Sequence, residues 1–108
     1  MRKVKFKTWF AEEVNLYELV ETIARGGNFV TSILKVLYEN PEIKNELIQV
    51  IEFFEKFYSS KPFEEDKYYL ERLKSLKDIV LNVERVEKID NIYIGYKNDK
   101  VYANFIEI

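Results

Sequence analysis

Residues 92–106 read Ile-Tyr-Ile-Gly-Tyr-Lys-Asn-Asp-Lys-Val-Tyr-Ala-Asn-Phe-Ile, and this pattern predicts a β-hairpin. Two alternating runs flank Asn98-Asp99. Asparagine and aspartate tolerate the positive φ angles of a two-residue turn better than other non-glycine residues. With the turn at these two positions, Tyr96 is expected to pair with Val101, and Ile94 with Ala103.

Side chains alternate between the two faces of a strand, so the predicted hairpin has one apolar face and one mixed face. We expect the apolar face to contact the core; it consists of Ile92, Ile94, Tyr96, Val101, Ala103 and Phe105. We expect the mixed face to contact solvent; it consists of Tyr93, Gly95, Lys97, Lys100, Tyr102 and Asn104. A hairpin alone is marginally stable in water, so another strand and covering helices are needed.

Residues 2–10 also alternate and predict the third strand of this sheet. Between the strands, apolar residues recur at helical spacing in several segments. Asn15 is a candidate N-cap with Glu18 three residues later, Gly26-Gly27 and Asn40-Pro41 are helix breaks, and residues 59–62 form a loop. The last predicted helix carries a stripe at four- and three-residue spacing, which favours core packing over a coiled-coil seam because it covers only two heptads. The stripe consists of Tyr69, Leu73, Leu76, Val80 and Val83, broadened by Ile79 and Val86.

The predicted fold class is therefore α+β, with residues 1–108 forming a single domain. Its small antiparallel three-stranded sheet is expected to combine the N-terminal strand with the C-terminal hairpin, and three to four helices pack on one face. Of the 108 residues, 47% are hydrophobic and 33% charged, which are globular values. No run of 18 apolar residues and no signal-peptide core is present, so we expect no membrane association and a cytoplasmic location.

Composition argues against an enzyme, because the chain has neither His nor Cys. The net charge of −2 selects neither nucleic acid nor an anionic membrane. No glycine elbow or paired base marks a nucleophile. The acidic runs Glu12-Glu13 and Glu64-Glu65-Asp66 are candidate magnesium ligands. Adjacent carboxylates on a helix do not converge on one point, however, and the second run suits a helix N-terminus. We therefore expect no metal, no cofactor and no catalytic residue.

Surplus aromatic and apolar residues on the expected outer sheet face favour a partner-binding surface, since Trp and Tyr are common interface anchors. The candidate partner-binding residues are Trp9, Tyr93, Tyr102, Ile106 and Ile108. The last two residues share a face with Tyr102 only if the alternation continues; a bulge or a terminus packed under a helix is the alternative. The leading hypothesis is a non-enzymatic regulatory protein that binds a protein or nucleoprotein partner. It would act as an accessory or inhibitor protein of a virus or mobile element, with a homodimer formed by edge-strand pairing as a further expectation.

The alternative hypothesis is a sequence-tolerant binder of single-stranded nucleic acid. Cations hold phosphates and tyrosine rings stack on bases. Residues 1–10 carry four basic and no acidic side chains, whereas residues 11–60 carry four basic and nine acidic ones. The candidate nucleic-acid-binding residues are Arg2, Lys3, Lys5, Lys7, Tyr93, Lys97, Lys100 and Tyr102. Alternating lysines are equally typical of a solvated strand that avoids edge pairing.

Overall fold

The computed structural model describes the backbone at residues 3–5, 13–25, 29–60 and 64–104, and side chains at 13–25, 32–60 and 67–102. Within these ranges there are four helices, a three-stranded antiparallel sheet and a separate strand pair, so the α+β class is confirmed. The elements are β1 (Lys3–Lys5), β2 (Glu13–Asn15), α1 (Leu16–Arg25), α2 (Phe29–Glu39), a 3-10 turn (Pro41–Ile43), α3 (Lys44–Ser59), α4 (Glu64–Asn82), β3 (Arg85–Ile89), β4 (Ile92–Lys97) and β5 (Lys100–Asn104).

Local signals set the helix boundaries where they were predicted. The Asn15 side-chain oxygen accepts a hydrogen bond from the backbone N–H of Glu18 at 2.9 Å, which confirms the predicted N-cap of α1. At the end of α2, the Asn40 side chain donates to the carbonyl of Val36 at 3.1 Å, and Pro41 opens the 3-10 turn that leads into α3. These contacts involve residues close in sequence, so sequence reasoning can find them.

The third strand of the sheet is not the one that was predicted. The sheet order is β3-β4-β5, so Arg85–Ile89 completes it, whereas β1 pairs antiparallel with β2 in a separate two-stranded sheet. Helix α4 is accordingly shorter than the last helix that the sequence predicted. It ends at Asn82, and Val86 lies in β3. Its packing stripe is nevertheless part of the core: Leu73, Leu76 and Val80 are buried. Residues 6–10 of the predicted first strand lie outside the described residues.

Two tight turns fold the sheet. Asn98 and Asp99 have φ values of 53° and 61°, which confirms the predicted hairpin turn, and Tyr96 pairs with Val101 as expected. Asp90, at φ 54°, makes the turn between β3 and β4. Farther from the Asn98-Asp99 turn, the pairing of β4 with β5 shifts by one residue between Gly95 and Tyr96. Ile94 therefore pairs with Asn104 instead of Ala103. The extra residue of this bulge lies on β5.

The face of β4 that contacts the helices is the opposite of the one that was predicted. Tyr93 is 8% exposed, while Ile92 on the expected core face is 36% exposed. Gly95 explains why this face of β4 lies against the helices, because a Cβ atom at this position would lie 2.9 Å from side-chain methyl groups of both Leu34 and Val83. Only glycine lets α2 approach the sheet this closely. The Tyr93 ring also contacts Tyr38 of α2, with centroids 5.7 Å apart.

The core lies among the four helices, with the inner face of the sheet closing one end. The most extensive packing is between α3 and α4. The sheet contacts mainly α2 and also reaches the end of α4, where Asn82 accepts a 2.6 Å hydrogen bond from Lys97. Fully buried side chains include Leu16, Leu19, Ile33, Leu34, Ile43, Leu47, Ile51, Leu73 and Leu76.

Candidate interaction surfaces

The residues predicted to bind a partner are not gathered on one exposed surface of the described chain. Tyr93 is buried, which corrects its expected position on the solvent face. Tyr102 is 38% exposed, but its hydroxyl donates a hydrogen bond to Asp78 of α4. This carboxylate raises the pKa of Tyr102, because the hydrogen bond and the nearby negative charge favour the protonated phenol. Trp9, Ile106 and Ile108 lie outside the described residues.

The predicted lysine–tyrosine surface is divided in the same way. Lys97 points toward α4, where it donates to Asn82 and lies 5.9 Å from the Tyr102 ring centroid. Lys3 and Lys5 belong to β1, which pairs with β2 and not with the sheet that carries Lys97 and Lys100. Arg2 and Lys7 lie outside the described residues. The described strands therefore do not unite the lysines on one sheet, and their role in binding stays a prediction.

A larger exposed surface is formed by aromatic side chains of three helices. In α3 and α4 three aromatic pairs are adjacent in sequence, Phe53-Phe54, Phe57-Tyr58 and Tyr68-Tyr69. Successive residues of a helix point about 100° apart, so both members of such a pair cannot face the core centre. The second member is 8% exposed in each of the first two pairs and half-buried in the third, whereas the first members are 51%, 45% and 56% exposed.

The exposed rings rest on the buried ones and form a continuous set. We name the four exposed rings, Tyr17, Phe53, Phe57 and Tyr68, the aromatic patch; their exposed fractions all exceed one third. Tyr17 of α1 meets Phe53 with centroids 5.4 Å apart, at an edge-to-face angle of 82°. The other contacts run through the supporting rings at centroid distances of 5.2 to 6.2 Å, and they join Phe53 to Phe54, Phe54 to Tyr58, Phe57 to Tyr58, Tyr58 to Tyr69 and Tyr68 to Tyr69.

Two arginines fix one end of this aromatic set. The Arg25 guanidinium lies 4.5 Å from the Tyr69 ring centroid and donates to the Tyr58 hydroxyl at 2.9 Å. That hydrogen bond, together with nearby Glu21, raises the pKa of Arg25. Arg72 lies 5.5 Å from the Tyr68 ring centroid and donates to the carbonyl of Ala24 at the end of α1. Cation–π contacts and hydrogen bonds hold the rings in place, so the patch is built on a rigid support.

The helices that carry the patch are acidic. In α1, α3 and α4 alike, acidic side chains outnumber basic ones by one. Beside Phe53, Glu52 and Glu55 hold Lys77 of α4 at 3.5 Å and 3.2 Å, and these carboxylates raise the pKa of Lys77. The Glu55 side chain is only 19% exposed, and its ion pair with Lys77 offsets part of the cost of burying that charge.

The second exposed apolar surface is the side of the sheet that faces away from the helices. We name it the outer sheet face; by register with Tyr93 and Gly95 it consists of Arg85, Glu87, Ile89, Ile92, Ile94, Tyr96 and Val101. Ile89 and Val101 are each 54% exposed. This is the face that the alternation of the hairpin predicted to be buried.

A cleft of about 300 Å³ lies between the end of α2 and the start of β3. Lys44 on its rim donates a 2.9 Å hydrogen bond to the carbonyl of Val83, so this cation already supports the chain turn between α4 and β3. The remaining lining is mixed, with Leu37, Tyr38, Pro41 and Val86 beside Glu84 and Arg85. Nothing in this arrangement selects a particular ligand.

Comparisons with known proteins add no assignment: no protein-family model matches the sequence, and neither curated proteins nor solved structures yield a match. Among the described residues, no three His, Cys, Asp or Glu side chains are grouped so that they could hold a metal ion. None of the described helices combines the length and apolarity required to cross a membrane. The acidic run at 64–66 has no described side chains.

Sequence reasoning missed the aromatic patch, although a signal was present. The apolar stripe of α3 predicts a wide core face that includes Phe53 and Phe57, whereas these two rings are 51% and 45% exposed. Three adjacent aromatic pairs within 17 residues exceed what one side of two packed helices accommodates. Adjacent pairs of large rings on amphipathic helices are therefore a useful marker of exposed aromatic surface.

Proposed function

We propose that this protein is a non-enzymatic interaction protein whose aromatic patch binds an apolar, basic segment of a partner protein. The observation that carries the proposal is the division of each aromatic pair into one exposed ring and one ring that is buried or, in Tyr68-Tyr69, half-buried. Core packing explains the large aromatic residues at the buried positions of Phe54 and Tyr58. It does not explain the large aromatic residues at the exposed positions of Phe53, Phe57 and Tyr68. Contiguous exposed apolar surface on a folded protein is typical of interaction sites.

The composition of the patch supports a protein partner. Tyrosine, phenylalanine and arginine are enriched at protein interfaces, and clustered rings on a rigid support provide binding energy at little entropic cost. Phe53 and Phe57 are four residues apart on α3, so they project from successive turns of one side of the helix. Tyr17 extends the surface onto α1 and Tyr68 onto α4, which gives an elongated site that suits a helix or an extended peptide.

The charge of the helices supports a basic partner segment. In sequence, each of α1, α3 and α4 has a formal excess of one acidic side chain, and net negative charge disfavours phosphate groups. Lysine or arginine beside apolar anchors would add a partner to three carboxylates at the margin of the patch, Glu18, Glu21 and Glu52, of which the last two already pair with Arg25 and Lys77. For this reason we favour a protein over single-stranded nucleic acid, even though stacked aromatic rings also bind bases. A role as regulator or inhibitor and a cytoplasmic location stay predictions.

The test uses a random peptide library displayed on phage, selected on the wild-type protein and depleted on the triple variant Phe53→Ser/Phe57→Ser/Tyr68→Ser. We expect enriched peptides that combine aromatic or aliphatic residues with Lys or Arg. Synthetic copies should bind the triple variant at least about tenfold more weakly, since exposed anchor rings carry much of the binding energy. Leu81→Ser is the matched control, because Leu81 is 52% exposed on α4 and lies outside the patch.

Three outcomes would overturn the proposal. The first is a selection that yields no peptide able to distinguish the wild type from the triple variant. The second is a set of binders that Leu81→Ser weakens as much as the triple substitution does. The third is tight, steeply salt-dependent binding of fluorescent single-stranded RNA or DNA that the triple substitution abolishes, because that result would assign the patch to nucleic acid.

A further inference from the structure

The outer sheet face is an apolar surface separate from the aromatic patch. Ile89, Ile92 and Val101 are 54%, 36% and 54% exposed, and Ile94 and Tyr96 beside them are half-buried. Strands β3, β4 and β5 are paired across this face, with one bulge on β5, so the five side chains lie on one side of the sheet. Antiparallel sheets normally present polar residues on the face that contacts water. Five adjacent apolar residues therefore indicate that this face is covered in a complex.

The charges on this face are neutralised within it. Arg85 forms ion pairs with Glu87 and, at 3.4 Å, with Asp99, and its guanidinium lies 4.1 Å from the Tyr96 ring centroid. On the face itself Arg85 and Glu87 balance each other, and the further carboxylate, Asp99, is 93% exposed in the turn at its edge. The interior of the face therefore offers no unbalanced charge to a charged partner and is complementary to a surface that is also apolar and neutral. A second copy of the same face meets this requirement, because it presents the same aliphatic residues without a charge conflict.

The edges of the sheet are less suited to association than its face. Both edge strands contain lysine, Lys88 in β3 and Lys100 in β5, and lysine on an edge opposes pairing with another strand. The homodimer by edge-strand pairing that the sequence suggested is therefore less favourable than face-to-face stacking. Stacked sheets pack about 10 Å apart, which lets the aliphatic side chains of the two faces interdigitate.

We infer that two copies of this protein associate through their outer sheet faces around a two-fold axis that passes near Ile94. Ile94 is the middle residue of this face on the central strand, so a two-fold axis through the centre places it against its own copy. The face spans roughly 15 by 15 Å, and covering it on both copies buries at most about 1,000 Å², the lower bound for a specific interface. The dimer is accordingly weak and depends on protein concentration.

Dimerisation through this face would give one particle two aromatic patches. The sheet contacts α4 near Asp78 and Asn82, while Tyr68 lies ten or more residues away, about 15 Å or more along the helix. The patches are thus remote from the two-fold axis and remain accessible in the dimer. Two weak binding sites on one particle increase the apparent affinity for a partner that carries repeated segments.

Sedimentation velocity on the full chain, from about 10 µM to about 1 mM, tests this inference at concentrations where weak association is measurable. We expect the wild type to shift toward the dimer mass as concentration rises, and Ile94→Glu and Ile94→Lys to remain monomeric when measured separately. An equimolar mixture of the two variants should recover dimer, because glutamate meets lysine across the axis. Recovery on mixing cannot come from a folding defect, which no partner copy would repair.

A wild type that stays monomeric at the highest concentration would overturn the inference, as would a mixture that stays monomeric while both variants keep the wild-type circular dichroism spectrum. If either Ile94 variant fails to fold, Val101→Glu and Val101→Lys replace them, since Val101 is 54% exposed. The triple aromatic-patch variant should dimerise like the wild type. Loss of dimer in that variant would show that the patch and not the sheet mediates association, and would overturn the inference while leaving peptide binding as a separate result.

Discussion

The helical end and the sheet end of this protein both expose apolar side chains, but the two exposures arise differently. At the helical end, the number of large rings exceeds what the core side of α3 and α4 accommodates, so Phe53 lies outside while Phe54 lies inside. At the sheet end, β4 has two faces that both carry apolar residues, and only one can contact the helices. Gly95 decides which one, because it lets Leu34 and Val83 approach the strand.

The difference shows how exposed apolar surface should be interpreted. On a helix the buried residues can be recognised from spacing, and the excess can be counted from sequence. On a strand whose odd and even positions are both partly apolar, spacing does not identify the buried face. Substitutions should distinguish residues that hold the fold from residues that are available to partners, because only the former should lower the stability strongly.

The sharpest comparison at the helical end is between two adjacent phenylalanines. Phe54→Ala removes a ring that is 8% exposed and should lower the free energy of unfolding by roughly 3 kcal/mol, because it leaves a cavity in the core. Phe53→Ala removes a ring that is 51% exposed and should cost less than about 1 kcal/mol. Urea denaturation followed by circular dichroism measures both values. Equal losses would mean that the exposed ring belongs to the core and would remove the basis for the aromatic patch.

At the sheet end, Gly95→Ala tests whether glycine selects the buried face. The added methyl group lies 2.9 Å from both Leu34 and Val83, so we expect a loss of about 1–3 kcal/mol from overpacking. Val83→Ala makes room for that methyl group. The double variant should therefore be more stable than the sum of the two single losses predicts, as a double-mutant cycle in urea would show. Strict additivity would contradict the close approach of Val83 to β4 at Gly95.

The N-cap of α1 supports the helical end, because α1 carries Tyr17 of the aromatic patch. Asn15→Ala removes the side-chain acceptor for the Glu18 N–H and should cost about 1 kcal/mol. Asn15→Asp is the matched control, since aspartate caps equally well and should keep wild-type stability. Thermal unfolding monitored at 222 nm distinguishes them. A loss in Asn15→Asp as large as in Asn15→Ala would show that the amide nitrogen, not the capping oxygen, matters.

The smallest effect concerns the contact between β5 and α4. Asp78 raises the pKa of Tyr102, so the hydrogen bond stabilises the folded protein at pH values below the ordinary tyrosine pKa of 10.0. As the pH rises through the folded-state pKa the phenol ionises and this contribution is lost. Tyr102→Phe should therefore unfold at a slightly lower temperature than the wild type at pH 7, and this difference should begin to shrink as the pH passes 10.0 and disappear above the raised folded-state pKa. A difference that persists at high pH would mean that the ring, not the hydroxyl, makes the contact.

Several parts of this structure were accessible from sequence because they depend on neighbouring residues. The cap at Asn15, the break at Asn40-Pro41 and the turn at Asn98-Asp99 involve contacts within about four positions. The surroundings of the predicted partner-binding residues were harder to predict, since Tyr93 looks like a surface residue when only its own strand is considered. Its burial depends on Tyr38 and on the approach of α2, about 55 positions earlier in the chain.

By itself the sequence determined the α+β class, the start of α1 at Asn15, the break at Asn40-Pro41 and the hairpin turn, because backbone conformation responds to adjacent side chains. Tertiary packing alone decided that β3 completes the sheet, that the strand face carrying Tyr93 and Gly95 lies against the helices, and which ring of each aromatic pair contacts solvent. These outcomes depend on competition among distant apolar surfaces for a limited core. Such competition is settled by the fit of whole elements, as at Gly95, and no local pattern records it.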